Sequence, residues 1–419
     1  MLLHQATRTT AKTTLPDGCG FYRDGMRLTS CLTVLLLAAH AHLTAEETIT
    51  LVSSLPRTGS ANSQTTTIVN GIRLAIQEAG GKVGGFTIRF EDWDDASPER
   101  GQWDPAVENS NADKALADPD VMAYIGTFNS GAAKVVMAKL NQGGLAMVSP
   151  ANTYVGLTKP GLGEKIEPQC YRPAHMVSYF RVVPADDLQG RLGAEYAKDM
   201  GAKKVFILHD RELYGKGLAD VFRATSTAIG VEVVGYEGID PKAANFKALI
   251  TKMRALSPDL VYFGGTTQTG AGQIAKDLVA GGLKATLLVP DGCREDAFIE
   301  AAGAKTLEGR TFITFGGVPP EQFTGKAAEF LTAYKAAFAS EPQAYAVYGY
   351  EAGRVVIDAI RRAGSKDRLK IIAALAATKD FPGTLGTWSF DENGDTTLKV
   401  MSVSGVENGR FKPLKVIGE

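Results

Sequence analysis

Histidine is scarce: there are five in 419 residues, and three of them (His4, His40 and His42) fall within the first 45. His175 and His209 are left for everything else, which excludes a histidine metal cluster and supplies a Ser-His-Asp triad poorly. Cysteine is as thin. Cys19, Cys31, Cys170 and Cys293 form no C-x-x-C pair, so zinc-site and thiol-redox spacings are missing. No G-x-S-x-G elbow, P-loop, G-x-G-x-x-G or H-E-x-x-H occurs. Charge of one sign is not in excess, since the formal net charge is -1, and nothing argues for nucleic acid. No apolar run approaches the roughly 20 residues of a bilayer-spanning helix.

What is present is an ordinary globular balance, 22% charged and 44% hydrophobic, over a length that suits two domains better than one core. The first 45 residues differ from the rest. Met26-Arg27, the apolar run Leu32 to Ala39 and the small residues Ala39-His40-Ala41 have the order of a signal peptide. Residues 1–45 are therefore expected to be a disordered leader plus a signal peptide, with translation starting at Met26 and cleavage near Ala41 or Ala45. Export is the compartment this implies.

From Ile49 onward, short buried-strand runs alternate with helical spacing. Strands are expected at Ile49–Ser53, Thr87–Glu91, Val121–Ile125, Leu145–Val148 and Tyr179–Val183, then at Val205–Leu208, Val231–Tyr236, Leu260–Gly264, Leu287–Val289 and Thr311–Phe315. The alternation runs twice with a break near residue 184, which predicts two doubly wound α/β lobes. Asp92-Trp93-Asp94-Asp95 invites a metal reading. Ser97-Pro98-Glu99 just after it reads as a cap, an N1 proline and a first-turn acid, so the aspartates are expected simply to approach a helix start. Asp186-Asp187 are expected to begin another helix. His209, just past a strand, is expected to be satisfied by its own loop.

The stretch Val121 to Thr153 organises the site. It reads as strand, helix and strand, so its two strands lie parallel and their carboxyl ends share one edge. On that edge sit Thr127-Phe128-Asn129-Ser130 and Ser149-Pro150-Ala151-Asn152-Thr153. Ligands bind at such edges, and the free N–H groups opening the Ser130 helix favour a carboxylate.

Several blocks in order carry a family resemblance. They include Asn70-Gly71 with Ala75 and Glu78, Tyr124-Ile125-Gly126 with Ser130, and Ser149 to Thr153. Further along stand His209-Asp210 with Tyr214-Gly215-Lys216-Gly217, Pro290-Asp291-Gly292, and Trp388 with Phe390-Asp391-Glu392-Asn393-Gly394-Asp395. Over residues 48–400 the chain resembles the leucine/isoleucine/valine-binding proteins, type I periplasmic receptors of ABC importers. The resemblance implies two doubly wound lobes joined by a three-crossing hinge near residues 184, 315 and 388. Residues 46–184 with 316–388 would form one lobe and 185–315 with 389–419 the other.

It also implies that Ser130 and Thr153 hold a ligand carboxylate beside Ala151, Asn152 and Asn129, and that Asp291 meets an ammonium. Tyr214 and Tyr345 would close the pocket from opposite lobes, with Tyr348 and Tyr350 shared between core and hinge. Thr266 and Gln64 stand where leucine-type receptors carry aromatics, which makes the pocket more polar. The family's small-loop disulfide has no counterpart at Ser97 and Asn129, and pairing of Cys170 with Cys293 is left open.

The expectation is thus a monomeric periplasmic substrate-binding protein that captures an amino-acid-like solute, branched-chain or related, for a membrane permease. Neither catalysis, cofactor nor metal is expected. An exported ligand-sensing domain, or a receptor for another small carboxylate or amide, is the alternative. An α/β enzyme is disfavoured by the missing motifs.

Overall fold

A computed structural model of the chain describes residues 47–418. The expected leader, signal peptide and cleavage sites lie outside these residues. The chain opens with β1 (Thr48–Leu55), α1 (Asn62–Glu78), β2 (Phe86–Asp94), α2 (Pro105–Ala117), β3 (Val121–Gly126), α3 (Ser130–Gln142), β4 (Ala146–Ser149) and β5 (Tyr179–Arg181). The five strands are parallel, in the order β2-β1-β3-β4-β5, with a two-residue strand at Lys82–Val83 antiparallel on the outer edge. Every residue of β3 and β4 is buried, as their unbroken apolar runs require of strands covered on both faces.

The same order then repeats. After α4 (Asp186–Asp199) come β6 (Lys204–His209), α5 (Leu213–Ala228), β7 (Glu232–Gly238), α6 (Lys247–Leu256), β8 (Leu260–Gly264), α7 (Ala271–Ala280), β9 (Thr286–Val289) and β10 (Thr311–Gly316). The second sheet runs β7-β6-β8-β9-β10 in parallel and is completed by an antiparallel ribbon, β11 (Met401–Glu407) and β12 (Arg410–Ile417). Between β10 and that ribbon, α8 (Lys326–Phe338), α9 (Ala346–Ala363) and α10 (Arg368–Ala376) return to the first sheet's core, as do Trp388 and Phe390. Met401 and Val403 pack in the second half.

Helices α1 and α9 press together through glycine. A Cβ added at Gly349 would lie 2.2 Å from the Ile68 carbonyl oxygen, and one at Gly71 would lie 2.2 Å from that of Ala346. Only residues without a side chain permit so close a crossing.

Several local expectations need correction. The helix expected to start at Ser97-Pro98 starts at Pro105, capped by Asp104, whose carboxylate accepts from the Ala106 N–H at 2.8 Å. Ser97 instead lies in a two-residue strand paired with Gln102–Trp103, and its hydroxyl donates to Asp104 at 2.8 Å. Cys170 is exposed, Cys293 is buried, and both are free. Asp92 and Asp94 are taken up by Ser53, Arg57, Thr58 and Ala96. Among the described residues no cluster of metal-ligating side chains occurs. Nor is any helix there long and apolar enough to cross a membrane.

A buried acid under the first sheet sets a pH dependence. The Glu108 carboxyl meets the hydroxyls of Ser54 and Tyr124 and is fully buried. Burial pushes it up to about 8, and the buried Asp95 beside it is raised as well. The unfolded chain's glutamate titrates near 4.3. The folded state therefore holds the proton more tightly, and this contribution is complete below the unfolded value and lost as pH rises through about 8. Urea unfolding is expected to show several kcal/mol lost between about pH 5 and pH 9, and E108Q should flatten that slope.

Candidate functional site

In each half the sheet order reverses direction beside its first strand, and crevices form outside the carboxyl ends of strands at such points. The loops after β3 and β4 of the first sheet face the loops after β6, β8 and β9 of the second. A small cavity between them is lined by Asn129, Ser130, Ala151, Tyr214, Thr266, Asp291 and Tyr345, together with Phe128 and Gly292. Its volume of about 20 Å³ is room for about one water.

On the first-sheet side the groups are donors. Ser130 is the first residue of α3, so its N–H and that of Gly131 open a helix with no intrahelical acceptor. The Tyr154 N–H donates to Ser130 Oγ at 3.3 Å, which ties the two loops together. Ser149 Oγ accepts from the N–H groups of Ala151 and Asn152 at 3.1 and 2.9 Å and fixes the turn after β4. The Thr153 hydroxyl is buried against the Asp186 carboxylate.

The second side is acidic. Asp291 is buried, and one of its carboxylate oxygens accepts from Gln189 Nε2 at 2.6 Å and from the Tyr214 hydroxyl. The other accepts from the hydroxyl of Tyr345, which belongs to the first half, so this contact bridges the cleft. Asp186, in the first turn of α4, is fully buried; its N–H donates to the Thr153 carbonyl at 2.9 Å and the Thr153 hydroxyl lies against its carboxylate. Burial, and then the charge of Asp291, push Asp186 well above the carboxylate range. Burial raises Asp291 too, against the hydrogen bonds it accepts from Tyr214 and Tyr345. Two carboxyls share one dry site here, and a cation placed between them would relieve both.

Seven of the ten residues singled out from sequence line the cavity. Asn152, Thr153 and Gln64 do not. The Asn152 side chain is spent on the fold: its Nδ2 donates to the carbonyls of Thr127 and Phe128 at 2.9 and 3.0 Å, while its Oδ1 accepts from the Tyr179 hydroxyl. It positions Ser130 by tying its loop to the neighbouring one. Gln64 is fully buried in α1. Asp186 is the residue sequence reasoning missed, because its pair with Asp187 reads as an ordinary first-turn acid cluster. His209 accepts from the Arg211 N–H at 3.1 Å, within its own loop. Tyr348 and Tyr350 bond the Gly316 carbonyl and Glu78, away from the cavity.

Further contacts cross the cleft. Ser63 Oγ donates to Glu295 at 3.2 Å, Gln268 Nε2 to the Ser60 carbonyl at 3.4 Å, and Gln343 Nε2 to Asp296 at 3.0 Å. A larger groove of about 530 Å³ runs between the 154–164 loop and α5, but its charges are already matched, Lys216 with Asp220 and Lys159 with Asp187, both at 2.7 Å. It offers no convergent unpaired groups.

Two repeated open α/β halves with a buried, oppositely lined cleft between them define a two-lobed solute receptor. The family described as periplasmic binding proteins matches residues 48–410, and the chain belongs to it. The Leu/Ile/Val-binding protein homolog 2 of Brucella abortus is 32% identical over 346 residues, covering 82% of this chain and 86% of that one. Among solved structures, the leucine-binding protein LivK of Thermotoga maritima superposes with a TM-score of 0.77 at 27% identity, covering 88% of this chain and 98% of its own. LivJ of Streptococcus pneumoniae, solved with isoleucine, also gives 0.77 at 27% identity and covers 88% and 99%. The type I two-lobed fold expected from sequence is the one found, and the family is one of substrate-binding transport proteins.

Proposed function

We propose that this chain captures an amino acid, branched-chain or related, in the periplasm and delivers it as a monomer to the permease of an ABC importer. The single observation behind this is the polarity of the cleft. The open helix start at Ser130 faces the buried carboxyl of Asp291 across the cavity, with Asp186 buried behind it, a match for a molecule carrying a carboxylate at one end and an ammonium at the other. A buried charge left without a partner costs several kcal/mol, so a neutral or singly charged solute fits this lining less well. Residues 46–184 with 316–388 move as one lobe and 185–315 with the C-terminal ribbon as the other. In this reading the chain passes between the lobes for the last time near residue 388, where Trp388 and Phe390 pack in the first core.

The cavity is too small to admit an amino acid without movement, and Tyr345 closes it by bonding Asp291. Hinge motion about the crossings opens and closes such sites. Small-angle scattering with an equimolar mixture of amino acids is expected to show a smaller radius of gyration than the free protein. An unchanged radius at saturation contradicts closure.

A further inference from the structure

At one end of the cleft, polar groups outnumber their partners. Glu295, just beyond β9, is fully buried. Its carboxylate accepts from Ser63 across the cleft at 3.2 Å and from Gln268 Nε2 at 2.7 Å. None of the charges acting on it is positive. Gln64, next to Ser63, is fully buried, and neither its amide nitrogen nor its oxygen has a hydrogen-bond partner. Asn129 Oδ1, on a residue lining the cavity, is likewise buried and unpaired.

Helix packing places Gln64. An added Cβ at Gly349 would meet Ile68, and one at Gly353 would meet Ile72 and Ala75, so α1 and α9 run past each other in the same direction. One turn back from that contact, Gln64 on α1 stands level with Tyr345 at the start of α9. Tyr345 bonds Asp291 on one side, and Ser63 bonds Glu295 on the other. Gln64 therefore stands at the level of Tyr345 and next to the residue that bonds Glu295.

A buried amide without partners and a buried carboxylate without a counter-charge are both expensive, and an aliphatic ligand side chain would leave Gln64 and Asn129 unpaired and Glu295 without a cation. Most of what they offer is acceptor: Glu295, Gln64 Oε1 and Asn129 Oδ1. We propose that the solute is an α-amino acid whose side chain donates hydrogen bonds through nitrogen, as a carboxamide, guanidinium or ammonium, to Gln64, Asn129 and Glu295. This rests on the reading of the cleft as an amino-acid site and narrows it away from purely aliphatic side chains. A site built to hydrogen-bond a polar group discriminates strongly against analogues that lack it.

Calorimetric titration of the purified chain with glutamine, arginine, lysine, leucine, isoleucine and norleucine tests the proposal. At least one of the three nitrogen-bearing amino acids should bind about a hundredfold more tightly than leucine. E295Q and Q64L, with folding checked by circular dichroism, should each lower affinity for that amino acid tenfold or more. If an aliphatic amino acid binds more tightly than all three, or if both folded variants match the parent, the proposal is overturned while the amino-acid reading stands. Binding of none of the six overturns both. The parent's ranking needs no variant, so a variant that fails to fold leaves the test intact.

Discussion

Asp291→Asn is expected to weaken amino-acid binding by roughly 2–5 kcal/mol, about thirtyfold to several-thousandfold. Asparagine keeps the shape and one acceptor oxygen, so Gln189, Tyr214 and Tyr345 can still be accommodated around it. What is lost is the charge that an ammonium would meet after leaving water. Truncating one partner of a buried charge pair costs this much because the other charge stays buried and alone. Asp186 will not replace it in full. It lies close enough to Asp291 for each to disfavour the other's charge, yet it is held above the carboxylate range by burial first of all. Ser130→Ala, which removes one hydrogen bond to a charged group, should cost less, about 1.5–3 kcal/mol. Titration of both variants with the parent's best amino acid checks the order. Equal affinity of Asp291→Asn and parent would remove Asp291 from the site.

The second large effect belongs to the hinge. Arg181, fully buried at the end of β5, donates from Nε to Asp395 Oδ1 at 2.6 Å. Its other nitrogens donate to the Tyr154 and Asn152 carbonyls at 2.8 and 3.3 Å and to the Thr158 hydroxyl. Asp395→Ala leaves a guanidinium buried without its counter-charge, and such losses run to about 3–5 kcal/mol. Because the carbonyls that Arg181 holds flank Thr153, the variant should lose ligand affinity along with stability. Burial alone would raise the Asp395 carboxyl, but the charge of Arg181 outweighs it and holds the group below its ordinary value. A depressed carboxylate contributes stability above its unfolded value, near 3.9, and that stability is lost as pH falls through the lower folded value. Denaturant unfolding should therefore show acid sensitivity below about pH 4 in the parent that Asp395→Ala lacks.

How much of this could be read from sequence follows from what is local. The buried runs Val121–Gly126 and Ala146–Ser149 are strands by composition alone, so the shared edge carrying Ser130 and Ala151 was legible. The start of α2 was not. Ser97-Pro98 and Asp104-Pro105 are equally good cap-and-proline pairs seven residues apart, and only the pairing of Ala96–Ser97 with Gln102–Trp103 decides between them. Asn152 looked like a ligand group because its partners, the carbonyls of Thr127 and Phe128, stand on another loop. Asp186 was hidden for the same reason. A first-turn aspartate normally faces water, and its burial depends on where α4 settles against Thr153 and Asp291. The resemblance assigned Asp291 an ammonium partner in the ligand, but nothing local shows that two tyrosine hydroxyls from opposite halves meet it.

The account stands on recognition of both ends of an amino acid, and one comparison tests that most directly. The parent protein is titrated with its best amino acid and with the deaminated acid of the same carbon skeleton. The amino acid is expected to bind at least a hundredfold more tightly, because only it supplies a cation to Asp291 and Asp186. Equal or tighter binding of the deaminated acid would contradict the account.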